Sequence, residues 1–140
     1  MAENLNFNST GSRCHSNKQA FCDKYGRLYQ WNAAVKACPN GWKLASAQEW
    51  DKLVNTYGGT KSAYSNLIKD GFGVLLGGYC FDNGKCFGMS IHENYHCSTE
   101  VNATETKFYY FKSYEGKVCM HKSSGRNGKA QYLSCRCIKK

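Results

Sequence analysis

The segment "HENYHC", residues 92–97, concentrates the side chains that could do chemistry: His92, Glu93, His96 and Cys97. Imidazole, carboxylate and thiolate groups can bind a transition metal, and a cysteine beside a histidine can act as a nucleophile. A helix would place both histidines on one face, but the flanking "MSI" and "STE" favour strand and turn. We therefore expect no metal centre and no cofactor here, and we interpret Cys97 as a buried free thiol.

Two other patterns point away from catalysis. "CRC" near the C terminus could indicate a redox or copper site, but Cys135 and Cys137 would share one face of a strand and each has a plausible structural partner. Glu93 and Glu100 are the nearest pair of carboxylates for glycoside hydrolysis, and their surroundings show no other sign of an active site. We expect no enzyme; a thiol- or metal-dependent one would need Cys97 or Cys135 reduced and close to a histidine.

The aromatic run "KFYYFKSY" offers binding rather than catalysis. In an extended strand its side chains alternate, so one face carries Phe108, Tyr110, Lys112 and Tyr114, and the other carries Tyr109 and Phe111. One face should pack on the core. Tyrosines beside lysines on the other face can stack on sugar rings and hold anionic groups.

The chain is strongly basic, with 19 Lys and Arg against 10 Asp and Glu and a net charge of +9. The loop "SSGRNGK" should expose Arg126 and Lys129, which could contact phosphate or uronate groups or could form a merely solvated face. The candidate ligand-binding residues are Tyr110, Lys112, Tyr114, Arg126 and Lys129. No nucleic-acid motif is present, and we expect no nucleic-acid partner.

Two helices should precede these strands. Trp31, Ala34, Val35 and Cys38 fall at helical spacing, and "PNG" ends the helix. A second helix should begin at the capping box "SAQE", with Ser46 and Glu49 capping each other, and should end at Gly58-Gly59.

Short strand-like runs follow from about residue 72. They are "FGVLLGGYCF", "KCFGMSI", "KFYYFKSY", "KVCMHK" and "AQYLSCRCI". Within "CFDNGKC" a three-residue loop, Asp82 to Gly84, with Gly84 left-handed would place Cys80 opposite Cys86, at a distance that a disulfide can span.

The length of the chain and its number of cysteines predict the number of domains and the cellular compartment. The 140 residues suit a single domain, 1–140, and helices followed by strands indicate an α+β fold. No stretch approaches the length of a membrane helix. Nine cysteines favour an extracellular, cell-surface or periplasmic protein, and Cys14 and Cys22 are spaced for a local disulfide.

Several motifs, in order along nearly the whole chain, resemble the Fibrobacter succinogenes major paralogous domain: "MAENLNF", "CDKYGRLYQW", "ACPNGWKLAS", "EW", "LLGGY", "STE" and the terminal "RC". This resemblance implies secreted modules with no established chemistry. The tryptophan-bearing helix that ends in cysteine, followed by "LAS", is also similar to the opening of C-type lectin-like domains. That similarity implies two N-terminal helices packed on a mainly antiparallel, loop-rich sheet.

The lectin-like resemblance also implies a disulfide between Cys38 and Cys137. For the remaining cysteines, a hairpin formed by "KVCMHK" and "AQYLSCRC" would pair Cys119 with Cys135 and leave Cys97 free; Cys97 with Cys135 is the rival pairing. The calcium site of C-type lectins needs a proline between its ligands, whereas the only proline here, Pro39, ends a helix. We expect no such calcium site.

These observations predict a noncatalytic, exported surface module that adheres to plant or microbial cell-wall polysaccharide, with an acidic polysaccharide as one option. The alternative is a structural or protein-protein interaction module, with Cys97 as an intermolecular link. Exposed hydrophobic groups, rather than exposed tyrosine and lysine, would favour that alternative.

Overall fold

The computed structural model describes residues 3–113, 117–122 and 128–140, and for 117–122 the backbone alone. The described chain has an α+β fold with four α-helices and ten short strands. The helices are α1 (Gln19–Tyr25), α2 (Trp31–Ala37), α3 (Ala47–Thr56) and α4 (Gly59–Lys69). None of the helices in the described ranges is long and apolar enough to span a membrane.

The strands form one large sheet and two small ones. They are β1 (Ser12–Arg13), β2 (Leu28–Tyr29), β3 (Trp42–Leu44), β4 (Tyr79–Cys80), β5 (Cys86–Phe87), β6 (His92–Glu100), β7 (Thr106–Lys112), β8 (Lys117–Lys122), β9 (Leu133–Ser134) and β10 (Cys137–Lys139). The large sheet has the order β1-β2-β9-β6-β7-β8 and is antiparallel except between β6 and β9. β10 pairs with β3, and β4 pairs with β5.

The two helices expected from periodicity correspond to α2 and α3. The capping box at the start of α3 is confirmed, because the Ser46 hydroxyl accepts from the Glu49 amide and the Glu49 carboxylate accepts from the Ser46 amide. The expected end of this helix at Gly58-Gly59 is confirmed, because α3 ends at Thr56 and Gly58 is left-handed, with a φ of 94°. Gly59 then begins α4. The sequence reading missed α1 and α4.

The expected strands are shorter than predicted, apart from the central pair. Most of "FGVLLGGYCF" is irregular, and only Tyr79–Cys80 is strand. "AQYLSCRCI" is divided between β9 and β10. The segment around "HENYHC" is the longest strand, β6, and its partner β7 lies at the predicted position.

The main core is built around the indole of Trp50 on α3. Its ring stacks on the rings of Tyr95 on β6 and Tyr109 on β7, with centroid distances of 5.0 and 5.4 Å and interplanar angles of 29° and 26°. Phe111 contacts the indole edge, and Leu67 of α4 is buried in the same cluster. The predicted alternation of "KFYYFKSY" is therefore confirmed, and the face with Tyr109 and Phe111 is the one that packs on the core.

Three of the predicted disulfides are confirmed. Cys14 bonds to Cys22, Cys38 bonds to Cys137 and Cys80 bonds to Cys86. The bond between Cys38 and Cys137 joins the end of α2 to β10 and spans a sequence separation of 99 residues. Cys97 is free and buried, as expected.

The prediction that Cys119 pairs with Cys135 is wrong, and so is the rival bond from Cys97 to Cys135, because Cys135 is a free, buried thiol. The reason lies in the order of the sheet. "KVCMHK" forms the edge strand β8 beside β7, where Cys119 is opposite Tyr110, whereas Cys135 follows β9 on the far side of β6. Two strands thus separate segments that were expected to form a hairpin.

A buried polar network ties the N-terminal segment to the sheet. The Asn4 Oδ1 atom accepts from the Tyr95 hydroxyl and from the Arg136 guanidinium, at 2.9 and 3.0 Å. Asn4 Nδ2 and the Gly77 amide donate to the Glu93 carboxylate, at 3.4 and 2.7 Å. Because these groups are buried, each needs its partner, and the network fixes how residues 3–5 and 72–77 lie against β6.

Replacing Glu93 by glutamine should flatten the pH dependence of stability. Burial raises the pKa of Glu93 from 4.5 to about 7, so between these values the native protein holds a proton that the unfolded chain releases. The free energy of unfolding of the wild type should fall by about 3 kcal/mol as the pH rises through this window.

Urea denaturation at a series of pH values, for the wild type and for Glu93→Gln, measures this effect. The difference between the two profiles isolates the contribution of Glu93 from that of other titrating groups. If the stability of the two proteins depended on pH in the same way, the raised pKa assigned to Glu93 would be contradicted.

Candidate functional site

An open groove lies on the outer face of the central strands, on the opposite side of the sheet from Trp50. Its volume is about 250 Å³. Its lining combines five aromatic rings, counting the imidazole, with two carboxamides and one lysine: Tyr79, Phe81, His92, Asn94, Phe108, Tyr110, Gln131 and Lys112. We call this feature the aromatic groove.

The floor of the aromatic groove follows from strand alternation. Phe108, Tyr110 and Lys112 point to the groove, while the residues between them point to the core. On the neighbouring strand, His92 is paired with Lys112 and Asn94 with Tyr110. The outward face predicted for "KFYYFKSY" is thus one half of the site, and β6 supplies the other half.

One wall of the groove is the hairpin formed by β4 and β5. As predicted, Gly84 is left-handed (φ 86°), Cys80 lies opposite Cys86, and their Cα atoms are 4.0 Å apart. The hairpin gathers the rings of Tyr79, Phe81 and Phe87, whose centroids are 5.6 to 6.2 Å apart. The Tyr79 ring is also nearly parallel to the His92 imidazole, and the two ring centroids are 6.3 Å apart.

Short backbone contacts hold this hairpin against the sheet. The Cys80 and Tyr132 backbones exchange two hydrogen bonds, at 3.0 and 2.8 Å, and the Gly78 amide donates to the His92 carbonyl. A Cβ atom at Gly78 would lie 2.3 Å from the Phe87 carbonyl oxygen, and φ at Gly78 is 72°, so only glycine fits. The wall is therefore a fixed part of the fold.

His15 supports the same wall from behind. Its Nε2 donates to the Phe87 carbonyl at 3.3 Å, and the Ser16 hydroxyl donates to its Nδ1 at 3.0 Å. Burial lowers the pKa of His15, which is consistent with the neutral ring that these two bonds require. His15 acts as a structural support for the hairpin.

Asn94 is the unusual residue of the groove. Its side chain is only 8% exposed, yet its Oδ1 atom has no hydrogen-bond partner. Leaving a buried polar atom unpaired costs about 1–3 kcal/mol, and the large majority of buried polar atoms in proteins are paired. The carboxamide therefore offers a hydrogen bond to a molecule that enters the groove.

The electrostatics of the groove are mildly positive. The Lys112 ammonium lies over the Tyr110 ring, 5.0 Å from its centroid, and the described part of the lining contains no carboxylate. The site therefore combines flat apolar surfaces, a buried carboxamide and one cation.

The sequence matches one protein family, described as the Fibrobacter succinogenes major domain, over residues 1–139. The chain belongs to this family. No curated protein and no solved structure matches it. The family assignment confirms the resemblance noted in the sequence but brings no ligand or residue role with it.

The structure places the predicted ligand residues of this Fibrobacter succinogenes major domain in different regions. Tyr110 and Lys112 line the aromatic groove. Lys129 lies instead over the Trp31 ring, at 4.5 Å, and is ion-paired with Glu100. Tyr114 and Arg126 fall outside the described residues.

Sequence reasoning missed Tyr79, Phe81, Asn94 and Gln131 as groove residues. The turn "DNG" identified the hairpin, and its alternating aromatics could have indicated an aromatic wall. Nothing local indicates that this hairpin contacts β6 and β7, because those contacts join segments far apart in the chain.

The four residues of "HENYHC" do not converge in this domain. His92 and His96 share one side of β6 but are four residues apart, about 13 Å in a strand, and Glu93 and Cys97 point to the other side. His96 Nε2 is bonded to the Tyr29 carbonyl at 2.7 Å, and burial lowers its pKa to about 4. Burial also raises the pKa of Cys97 to about 12, so its thiol is protonated and unreactive.

Changing Asn94 to leucine should stabilise the folded domain, although Asn94 is buried. The substitution removes an unpaired buried oxygen, so the free energy of unfolding should rise by about 1 kcal/mol. Urea denaturation measures the change.

Asn4 is the matched control, since it is also buried but fully hydrogen-bonded. Asn4→Leu should lose about 1–3 kcal/mol or more, because Tyr95 and Arg136 lose their acceptor. Equal losses in both variants would mean that Asn94 is a structural residue.

Proposed function

We propose that this domain is a noncatalytic binding module of the cell surface and that the aromatic groove binds cell-wall polysaccharide without calcium. The observation that carries the proposal is the unpaired, buried carboxamide of Asn94 among aromatic rings. A sugar ring can make apolar contacts and hydrogen bonds at the same time. Its C–H face packs on an aromatic ring, and its hydroxyls hydrogen-bond to polar groups at the edges.

The dimensions and openness of the groove suit a chain rather than an enclosed small molecule. Its aromatic surface continues from Tyr110 and His92 to Tyr79 and on to Phe87, which is 47% exposed. Successive sugar units can contact successive rings along such a surface. Each contact is weak, and several together give useful affinity.

The charge of the domain extends the proposal to acidic polysaccharides. The net charge of +9 attracts polyanions at long range, and Lys112 places one cation at the groove. Uronate-containing chains are therefore the preferred class among cell-wall polymers. Long-range attraction is screened by salt, whereas aromatic contacts are not, so the two contributions can be separated.

Binding without cleavage is supported by the composition of the groove. Glycoside hydrolysis generally uses two carboxylates on either side of the scissile bond. The described groove residues include none, and Glu93 points to the opposite face of β6, toward Asn4.

The three disulfides support an exported location, because such bonds persist in oxidising compartments. The bond from α2 to the last strand also supports a C-type lectin-like fold, in which a helix near the start of the domain is tied to its final strand. In this proposal the binding surface is the aromatic groove rather than a calcium loop.

A protein-interaction module is the second candidate, favoured by one observation. Phe87, whose ring contacts those of Tyr79 and Phe81, is 47% exposed, and Ile91, which precedes β6, is 44% exposed. Such side chains are typical of protein-protein contacts when they form a patch.

Binding of the oxidised protein to insoluble cellulose, xylan and pectin, at low and high salt, tests the proposal. We expect saturable binding that Tyr110→Ala and Asn94→Leu each weaken about tenfold, since one aromatic or hydrogen-bonding contact contributes about 1.4 kcal/mol. Phe7→Ala is the control, because Phe7 is 61% exposed and is not part of the groove lining.

Salt separates the two contributions to binding. Lys112→Gln should reduce pectin binding at low salt more than Lys52→Gln does, because Lys52 is an exposed lysine of α3 that does not line the groove. Absence of saturable binding, or binding that the groove variants leave unchanged, would overturn the polysaccharide proposal and favour the protein-interaction module.

A further inference from the structure

Three sulfur atoms meet where α2 contacts the C-terminal strand. The Sγ atoms of Cys38, Cys135 and Cys137 all lie within 4.8 Å of one another. Cys38 and Cys137 form a disulfide, and Cys135 is a free thiol beside it. A buried thiol this close to a disulfide can react with it by thiol–disulfide exchange.

The backbone explains why both C-terminal sulfurs reach the same helix. Cys135 and Cys137 are two residues apart, and Arg136 between them points away, into the network with Asn4. The Cys135 sulfur lies 3.9 Å from the carbonyl oxygen of Ala34, which is one helical turn before Cys38. Both sulfurs therefore face the last turn of α2.

We propose that Cys135 is a built-in exchange partner of the Cys38–Cys137 bond, so that the covalent tie on α2 can move from Cys137 to Cys135. The Cys135 thiol gives its proton to solvent, and the resulting thiolate forms a bond to the Cys38 sulfur. The bond from Cys38 to Cys137 breaks, and Cys137 leaves as a thiolate that takes up a proton. No external oxidant or reductant is consumed.

Chain entropy does not choose between the two isomers. The native bond closes a sequence separation of 99 residues, and the exchanged bond closes a loop two residues shorter, so the costs of loop closure are almost equal. Packing favours the native isomer. In the native isomer Cys137 is in register with Leu44 of β3, so the covalent bond and the β3–β10 pairing hold the same strand.

Exchange would change how β10 is held. With the bond at Cys135, β10 would remain attached through its backbone pairing with β3 and through side-chain packing alone. The C-terminal strand would thus change from a covalently fixed strand to one that can open, while α2 stays tied to the sheet through Cys135.

Burial makes the native bond persistent. It raises the pKa of the Cys135 thiol to about 12, and exchange requires the thiolate. Tyr29 of β2 faces this thiol, and burial raises the pKa of its phenol as well, so neither group is charged at neutral pH. Exchange should therefore follow local opening of the contact between α2 and the C-terminal strand.

The sequence allows the two isomers to be distinguished by tryptic digestion. Cleavage after Arg136 separates Cys135 from Cys137, so the native bond links peptide 37–43 to 137–139 and the exchanged bond links 37–43 to 130–136. The oxidised protein, carrying Cys119→Ser to exclude that thiol, is incubated at mildly alkaline pH in increasing urea below its unfolding midpoint. Acid quenching, thiol blocking and mass spectrometry follow.

We expect the 37–43 to 130–136 pair to appear as the native pair is lost, at a rate that rises about tenfold per pH unit below the thiol pKa. Cys135→Ser should keep the native pair alone. Cys97 is the internal control, because it is buried in the Trp50 core and should not link to peptide 37–43. Persistence of the native pair alone, under conditions in which Cys135 becomes accessible to alkylation, would overturn the proposal.

A second variant, Cys137→Ser, tests whether Cys38 and Cys135 can form a bond when Cys137 is removed. After oxidation Cys137→Ser should contain a bond between Cys38 and Cys135. A folded Cys137→Ser protein in which both thiols remain open to alkylation would also overturn the proposal. If this variant does not fold, the migration experiment on the native cysteines decides the question.

Discussion

The bond between Cys38 and Cys137 is the constraint on which the rest of the domain depends. It joins the end of α2 to the final strand across almost the entire chain, and in the chain-entropy model a loop of this length stabilises the fold by about 4–5 kcal/mol. Around it lies the smaller of the two hydrophobic clusters formed by the described residues, where Leu5, Tyr29 and Leu44 are buried. The strands that enclose this cluster, β2, β3, β9 and β10, have only two or three residues each, too few to be stable as isolated pairs. The covalent tie and the cluster therefore stabilise them together.

The central strands β6 and β7 divide two tasks between their faces. One face packs on Trp50 and the helices, where stacked rings and complete burial give rigidity. The other face supplies His92, Asn94 and Tyr110 to the aromatic groove. Alternate residues of the same strands form the core and the groove, so the packing of the core also fixes the positions of the groove residues. The hairpin closed by Cys80 and Cys86 adds a wall whose position depends on backbone hydrogen bonds and on Gly78.

Local signals predicted the features that local physics determines. The capping box located α3, the "DNG" turn located the hairpin and its disulfide, and alternation predicted which residues of β7 share a face. α4 was missed because its stripe of buried residues is weak, with only Ala63 and Leu67 fully buried. The position of β9 beside β6 depends on pairing between distant segments, which no local pattern encodes. The error at Cys119 and the missed role of Asn94 have this same origin: both depend on strand order, whereas the Cys38–Cys137 bond could be inferred because a family resemblance carries nonlocal information.

Each described end of the chain is held to a distant segment by a backbone hydrogen bond. The Leu5 amide donates to the Cys135 carbonyl, and the Lys140 amide donates to the Gly41 carbonyl. A mechanical tension applied between these ends would load the contacts of residues 4 and 5, the β3–β10 pairing and the Cys38–Cys137 bond. The long pairing of β6 with β7 is loaded only through the side-chain contacts of Asn4 with Glu93 and Tyr95. The domain could therefore yield at its ends under tension while its central sheet remains folded.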